Sequence, residues 1–409
     1  MPLAILGGKP VKTKPFPSWP QYDEEEEKAL LEVLHSGIWW RTPGTKTLEF
    51  EQKFAAYHQA KHGIACTNGT AALEIVMAGM GIGLGDEVII PDFTFVASAS
   101  AVLFSGAMPV PVDIDPQTYA IDPSKIEAAI SPRTKAVTAV HLGGHPADLD
   151  HLQEICHTNN LHLIEDCAHA HGSEWKGRKV GTFGSAGTFS FQASKLLTAG
   201  EGGIVITNND DLEVRFRATH DCGRIPGQWF YSHYIYGSNY RLSEWQGAIL
   251  TQQLSRLDEQ QAIRRENATL LDRLLAEIEG IRPQALDPRV TCNGHYCYIF
   301  HYEPETFAGL STDRFVQALN AEGIPTQATY PPVHLLDVFQ NNEFRRRLAP
   351  DHSREPFEFL KGEYPVTVDA AANTVWLFHA TLLGNEQDTL NIVDSVKKIQ
   401  QHAKELATA

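Results

Sequence analysis

Leu161-His-Leu-Ile-Glu-Asp166-Cys-Ala-His-Ala-His171 reads as a short buried strand that stops on a carboxylate, because the apolar positions end where Asp166 begins. At the C-terminal end of a parallel strand such an acid points into the crevice where open α/β sheets bind ligands. Asp166 as the N-cap of a helix starting at Cys167 is the other reading of the same residues. Outward from this stretch, Glu87-Val-Ile-Ile90 and Ala136-Val-Thr-Ala-Val140 are further short apolar runs, and between residues 45 and 240 such runs alternate with helical patterns. The alternation predicts an α/β fold with a mostly parallel central sheet covered on both faces.

Downstream, Thr188-Phe-Ser-Phe-Gln-Ala-Ser-Lys195-Leu-Leu-Thr-Ala-Gly-Glu-Gly-Gly203 sets a lysine after a hydroxyl-bearing apolar strand and before a glycine-rich turn. A primary amine forms an imine with an aldehyde only when it can shed its proton, and a shaped, partly dry site suppresses the charge of lysine readily. An isolated lysine is ordinarily a solvated surface charge. The acid upstream is what makes Lys195 a Schiff-base candidate. Pyridoxal phosphate needs both groups, since a carboxylate opposite its pyridine nitrogen keeps that nitrogen protonated and the ring an electron sink.

Cys66-Thr-Asn-Gly-Thr70-Ala-Ala-Leu73 opens an Ala/Leu/Ile/Val/Met-rich helical stretch. The Gly69 and Thr70 amides would stand at a helix N-terminus, where free N–H groups and the helix dipole suit a phosphate monoester. A turn with an N-cap is the bland reading of the same residues. Ser190 adds a hydroxyl, and Asn239 with Arg241 in Gly237-Ser-Asn-Tyr-Arg241 adds a polar pair.

These blocks, together with Asp86–Phe95, Val112–Asp115, Val140–Asp148 and Ile164–Gly172, resemble in order and spacing the DegT/DnrJ/EryC1/StrS family of sugar aminotransferases, pyridoxal phosphate enzymes of fold type I. The resemblance spans nearly the whole chain. It implies Lys195 as the Schiff-base lysine, Asp166 as partner of the pyridine nitrogen, Phe93 as the aromatic stacked on the cofactor ring, and Gly69, Thr70 and Ser190 as holders of the phosphate. It also implies that Asn239 reaches the phosphate of a neighbouring subunit, hence a homodimer with shared sites. His169 is implied near a cofactor oxygen, and Gln192 in contact with cofactor or substrate. A branch of the fold that carries histidine in place of the lysine deoxygenates sugars, and Lys195 argues against it. Cys167 stands where many relatives carry Ala or Ser and reads as a buried structural thiol.

In family terms the amino donor is L-glutamate or L-glutamine and the acceptor a keto-cyclitol or keto-sugar. Pro17–Asp23 and Ser36–Gly44 resemble the subgroup of inosose aminotransferases and 3-amino-5-hydroxybenzoate synthases. Trp39, Trp40 and Arg41 are therefore candidates for the substrate entrance, with Gln192 and Arg241 beside them, although paired tryptophans are more often packing. Arg224, Arg241 and Lys46 leave open a diphosphate on the acceptor. Two other readings stand: a dehydrating aromatase that uses Lys195 to abstract a substrate proton, and a non-catalytic pyridoxal phosphate-binding regulator, disfavoured for want of an appended basic DNA-binding module.

Of 409 residues 43% are hydrophobic and 21% charged, as in an ordinary globular enzyme. A net charge of −16 argues against nucleic acid as a partner. Arg345-Arg346-Arg347 reads as a solvated helix face. The six cysteines include no Cys-x-x-Cys pair, so neither a metal site nor a disulfide framework is expected. The first residues lack the charged and apolar regions of a signal peptide, and no eighteen consecutive residues are apolar. The expected location is the cytoplasm, away from membranes. Residues 1–22, rich in proline, are expected to form an arm, 23–270 the large cofactor-binding domain, and 271–409 a smaller α+β domain. Within this plan Ser243 and Gln246 form a capping box for a long helix.

Overall fold

The computed structural model describes residues 2–340 and 362–408; the Arg345–Arg347 run lies outside them. The chain first lays down strands β1 (His62–Cys66), β2 (Glu87–Pro91), β3 (Met108–Val112), β4 (Thr134–Val140) and β5 (His162–Asp166). A small hairpin, β6 (Glu174–Trp175) and β7 (Arg178–Lys179), precedes β8 (Ala186–Ser190) and β9 (Gly203–Thr207). The main sheet has the order β1-β9-β8-β5-β4-β2-β3, and β9 alone runs antiparallel to its neighbours. Its strands are Val/Ile/Ala-rich and buried along nearly their whole length, the pattern of a sheet covered on both faces. The expected mostly parallel α/β architecture is what the chain adopts.

Register places the site. Val140 pairs with Asp166, and Asp166 with Thr188, so the C-terminal ends of β4, β5 and β8 lie side by side. Ser190 pairs with Gly203, and Gly203 with Cys66, which brings the loop after β1 to the same edge. The helix Gly69–Met80 starts there because Asn68 caps it, accepting from the Ala71 amide at 2.8 Å. It buries seven residues, including Leu73, Ile75, Val76 and Met77, against the sheet. No helix follows Asp166, so the capping reading of that residue is set aside.

The second half contributes β10 (Ile281–Pro283), β11 (Val290–Cys292), β12 (Cys297–Tyr302), β13 (Thr326–Gln327) and β14 (Thr374–Phe378). Four of these form an antiparallel sheet in the order β10-β12-β14-β13, covered by the helix Glu386–Gln401. The capping box of Ser243 and Gln246 is present, and it starts the helix Glu244–Ser255. The chain then turns at Arg256 into Leu257–Leu275, which crosses position 270: Leu257 packs in the core of the large sheet, Leu271 and Leu275 in the core of the second. Leu3, Ile5 and Phe16 of the arm join that second core, and the Ala4 and Val11 amides donate to the two oxygens of Glu322. Among the described residues no helix is long and apolar enough to cross a membrane.

Candidate active site

Lys195 leaves a turn built by its own neighbours. The Gln192 side-chain oxygen accepts from the Ser194 amide at 2.9 Å and hydroxyl at 2.7 Å, while the Lys195 amide donates to the Gln192 carbonyl at 2.8 Å. The amine lies 4.3 Å above the ring of Tyr296, which comes from the second half of the chain. Burial lowers its pKa from 10.5 to about 8, against the opposing pull of the Asp166 carboxylate. A neutral, nucleophilic amine is therefore accessible near physiological pH.

Asp166 ends β5 and is almost wholly buried. Ser98 Oγ donates to its Oδ2 at 2.9 Å and the Ala168 amide to its Oδ1 at 3.2 Å. Burial raises its pKa and outweighs these bonds and the nearby lysine. Such a carboxylate gains from a cationic partner, which a protonated ring nitrogen supplies. His169 sits beside it, stacked on Tyr296 with ring centroids 3.9 Å apart. The Gly143 amide donates to its Nδ1 at 3.3 Å, so Nε2 carries the proton that points to Tyr330 Oη at 3.1 Å. Burial holds this imidazole neutral.

The third corner is a cradle. Asn68 serves Ala71 with its side chain and Ala72 with its carbonyl, leaving the Gly69 and Thr70 amides at the helix start without intrahelical acceptors. Ser190 faces them across a gap only glycine allows: a Cβ at Gly69 would lie 2.7 Å from Ser190 Cβ. Free amides, a hydroxyl and a helix N-terminus match a phosphate group. The donor set thus fits pyridoxal phosphate at each of its three ends.

Several expected residues lie elsewhere. Phe93 is fully buried against Trp376 and offers no open ring face to a cofactor; Phe95, two residues on, is 52% exposed and lies 5.7 Å from the Tyr330 ring. Arg41 is not free for substrate either. It makes two hydrogen bonds to Glu51, at 3.2 and 2.7 Å, and Arg217 reaches the same carboxylate at 3.3 Å. Arg41→Ala should therefore cost about 2 to 3 kcal/mol of stability, by leaving buried Glu51 half-compensated, with little change in KM. Denaturant melts beside steady-state kinetics check this, and a raised KM at unchanged stability would restore Arg41 to the substrate site.

Trp40, Asn239 and Arg241 come together on an exposed face. Trp40 bridges Ser243, the Arg241 guanidinium lies 5.8 Å from the Trp40 ring, and Arg241 is paired with Asp221, which bridges Asn239. Trp39 packs on Trp245 with centroids 5.6 Å apart. This face adjoins the cradle through the Thr67 amide, bonded to the Tyr240 carbonyl at 2.8 Å. Lys46 and Arg224 are engaged by Glu32 and Asp221. Among the described residues, one buried His/Glu/Cys group has ligand atoms within 4.8 Å of one another: His141, Glu165 and Cys167. Glu165 there accepts the Gly181, Phe183 and Gly184 amides, and His141 Nδ1 accepts that of Ala147, so the group acts as a brace for loops.

Ser98, Tyr296 and Tyr330 complete the site without a signal in the sequence. Ser98 stands one turn past a recognisable block, but nothing local marks it as the partner of Asp166; the two tyrosines arrive from residues 100 or more positions away from Lys195.

The profile of the DegT/DnrJ/EryC1/StrS aminotransferase family matches residues 20–397. An L-glutamine:2-deoxy-scyllo-inosose aminotransferase of Streptoalloteichus tenebrarius is 42% identical, covering 99% of both chains. A 3-amino-5-hydroxybenzoate synthase of Amycolatopsis mediterranei is 42% identical over 92% of this chain and 95% of its own. The crystal structure of a 3-amino-5-hydroxybenzoic acid synthase superposes with a TM-score of 0.84 at 40% identity, covering 97% of this chain and all of that one. A buried lysine and a buried acid stand at one end of the sheet beside a helix start with free amides, and with this likeness along its length the chain belongs to the DegT/DnrJ/EryC1/StrS family and is a pyridoxal phosphate-dependent aminotransferase.

Proposed function

We propose that this enzyme moves the amino group of L-glutamine onto the ketone of a cyclitol resembling 2-deoxy-scyllo-inosose. The observation that carries the reading is the buried Lys195 amine, with its pKa near 8, beside the buried Asp166 carboxylate. Inosose aminotransferases of Streptoalloteichus tenebrarius and of Streptomyces species, 40–42% identical over at least 98% of this chain, support this acceptor, while the equally similar 3-amino-5-hydroxybenzoate synthase keeps the dehydrating reading as the second one.

Bound pyridoxal phosphate supplies an aldehyde that condenses with amines and a ring that withdraws electrons from the carbon bearing the nitrogen. Lys195 Nζ would hold the cofactor through its aldehyde, and as a neutral amine it could carry a proton to and from the reacting carbon. Asp166 would hold the ring-nitrogen proton, and the Gly69 and Thr70 amides with Ser190 Oγ would hold the phosphate. The exposed ring of Phe95, in place of Phe93, would offer its face to the cofactor, and His169 would stand by a cofactor oxygen. Trp39, Trp40 and Arg241, on the exposed face beside the cradle, would meet substrate only where that face joins a site, and Gln192, which shapes the turn before Lys195, would contact it there. Because Asn239 is exposed beside the cradle, it is suited to complete the phosphate site of a second copy, making the cytoplasmic enzyme a homodimer with shared sites.

Purified protein loaded with cofactor should lose its visible aldehyde-form absorbance on addition of L-glutamine and regain it with 2-deoxy-scyllo-inosose. No change with L-glutamine, L-glutamate or L-alanine would overturn the proposal. New aromatic absorbance from a cyclic amino-dehydroquinate-like compound would replace it with the dehydrating synthase reading.

A further inference from the structure

The peptide that carries Lys195 is gripped from behind by side chains with no part in the chemistry above. Trp19 Nε1 donates to the Ala193 carbonyl at 3.1 Å, and His379 Nε2 lies 3.0 Å from the Ser194 carbonyl. These are the last two carbonyls before the lysine. The other edge of His379, its Nδ1, is 3.4 Å from Arg264 Nη2. A guanidinium has only donors, so Nδ1 must accept and Nε2 must carry the proton given to Ser194. Arg264 thereby selects the histidine tautomer that can hold the turn. The ring of Trp19 meets His379 edge-on at 4.6 Å, and the Arg264 guanidinium lies 5.4 Å from the same ring, closing a triangle. Its corners come from the N-terminal arm, from the helix Leu257–Leu275 and from the turn after β14.

Arg264 is hard to account for on stability grounds. Its side chain is fully buried, and among the described residues no carboxylate pairs with it and neither Nε nor Nη1 has a protein acceptor. Burial pulls its pKa down to about 9, the mark of a charge held at a cost. An apolar side chain would pack there more favourably unless the donor were needed.

We propose that Arg264, His379 and Trp19 are positioning residues for Lys195, which fix the Ala193 and Ser194 peptides so that the amine stays buried above Tyr296 and aimed at the cofactor aldehyde. The inference rests on Lys195 being the amine that captures the cofactor. Released from this grip, the turn lets the ammonium reach water, and its pKa climbs back from about 8 towards 10.5.

The experiment times the capture of pyridoxal phosphate by apo-protein at Lys195, trapped with borohydride and located by peptide mass, from pH 6 to pH 11. Wild type is compared with Lys195→Ala, Arg264→Met, His379→Leu, His379→Gln and Trp19→Phe, and the melting temperature of each apo-protein is recorded. Arg264→Met should melt at or above wild type yet capture the cofactor about tenfold more slowly at pH 7.5, with the half-rate pH moved up by about one unit. His379→Leu should follow it. His379→Gln can accept from Arg264 and donate to Ser194, and should restore most of the rate. Trp19→Phe keeps the ring, loses one donor and should slow capture about threefold. Wild-type rates and pH profiles in Arg264→Met and Trp19→Phe would overturn the proposal, as would slowing that merely tracks lost melting temperature and is not rescued in His379→Gln. Wild-type protein that labels no more than Lys195→Ala would instead refute the assignment of the lysine.

Discussion

Lys195→Ala should lower turnover by about four orders of magnitude or more, because one amine serves both as the covalent anchor and as the proton carrier. The same change should leave the apo-protein at least as stable as wild type at pH 7. The lysine has a folded pKa of about 8 against 10.5 when free, so its proton is bound more weakly in the folded chain. Below about pH 8 it is charged in both states and the burial cost is fully present. Between about pH 8 and 10.5 the folded chain has lost the proton and the unfolded chain has kept it, so wild-type stability rises through that window. The depression amounts to about 3 kcal/mol, an upper limit because the variant also loses packed methylenes. Urea melts of apo wild type and variant at pH 7 and pH 10 should show the stability gap closing at the higher pH. Measurable turnover in the variant would remove Lys195 from the mechanism; a gap that does not close would show that the amine is not buried as described.

Asp166→Asn should lower the rate of the glutamine half-reaction about 10²- to 10³-fold while some cofactor still binds. Asparagine keeps the shape: its Oδ1 can still accept from the Ala168 amide, and its Nδ2 can donate to Ser98 Oγ if that hydroxyl turns to Thr94, but it carries no charge to hold a proton on the ring nitrogen. Burial has raised the pKa of Asp166, so ionising this group opposes folding as pH rises through the folded pKa. The variant is accordingly expected to melt no lower than wild type at pH 7. Stopped-flow spectra with L-glutamine give the rate, and a value near wild type would mean that another group keeps the ring nitrogen protonated.

The two predictions rest on residues that were legible for the same reason. Asp166 ends an apolar run, Lys195 precedes a glycine-rich turn, and Gly69 with Thr70 opens a helix behind the cap Asn68, so each is marked by the geometry of its own few neighbours. Arg41 reads as free because its partner Glu51 lies ten residues on, in the helix Lys46–Tyr57 that follows its turn, and the second cation on that carboxylate, Arg217, is far off in the chain. Phe93 and Phe95 are equally aromatic in sequence. Only the packing of Trp376 over Phe93 separates the buried ring from the open one.

By itself the sequence determined the class of fold, the order of the blocks and the kinds of chemical group the site contains, since strand ends, turns and helix caps are set by short-range steric and hydrogen-bonding preferences. Tertiary structure alone decided how dry those groups are and what presses on them: the ring of Tyr296 beneath Lys195, Ser98 against Asp166, and the tautomer of His379 held by Arg264. Burial and electrostatic coupling are sums over neighbours brought from distant parts of the chain, so the depressed pKa of Lys195 exists only once the large sheet and the second half of the chain have closed around it.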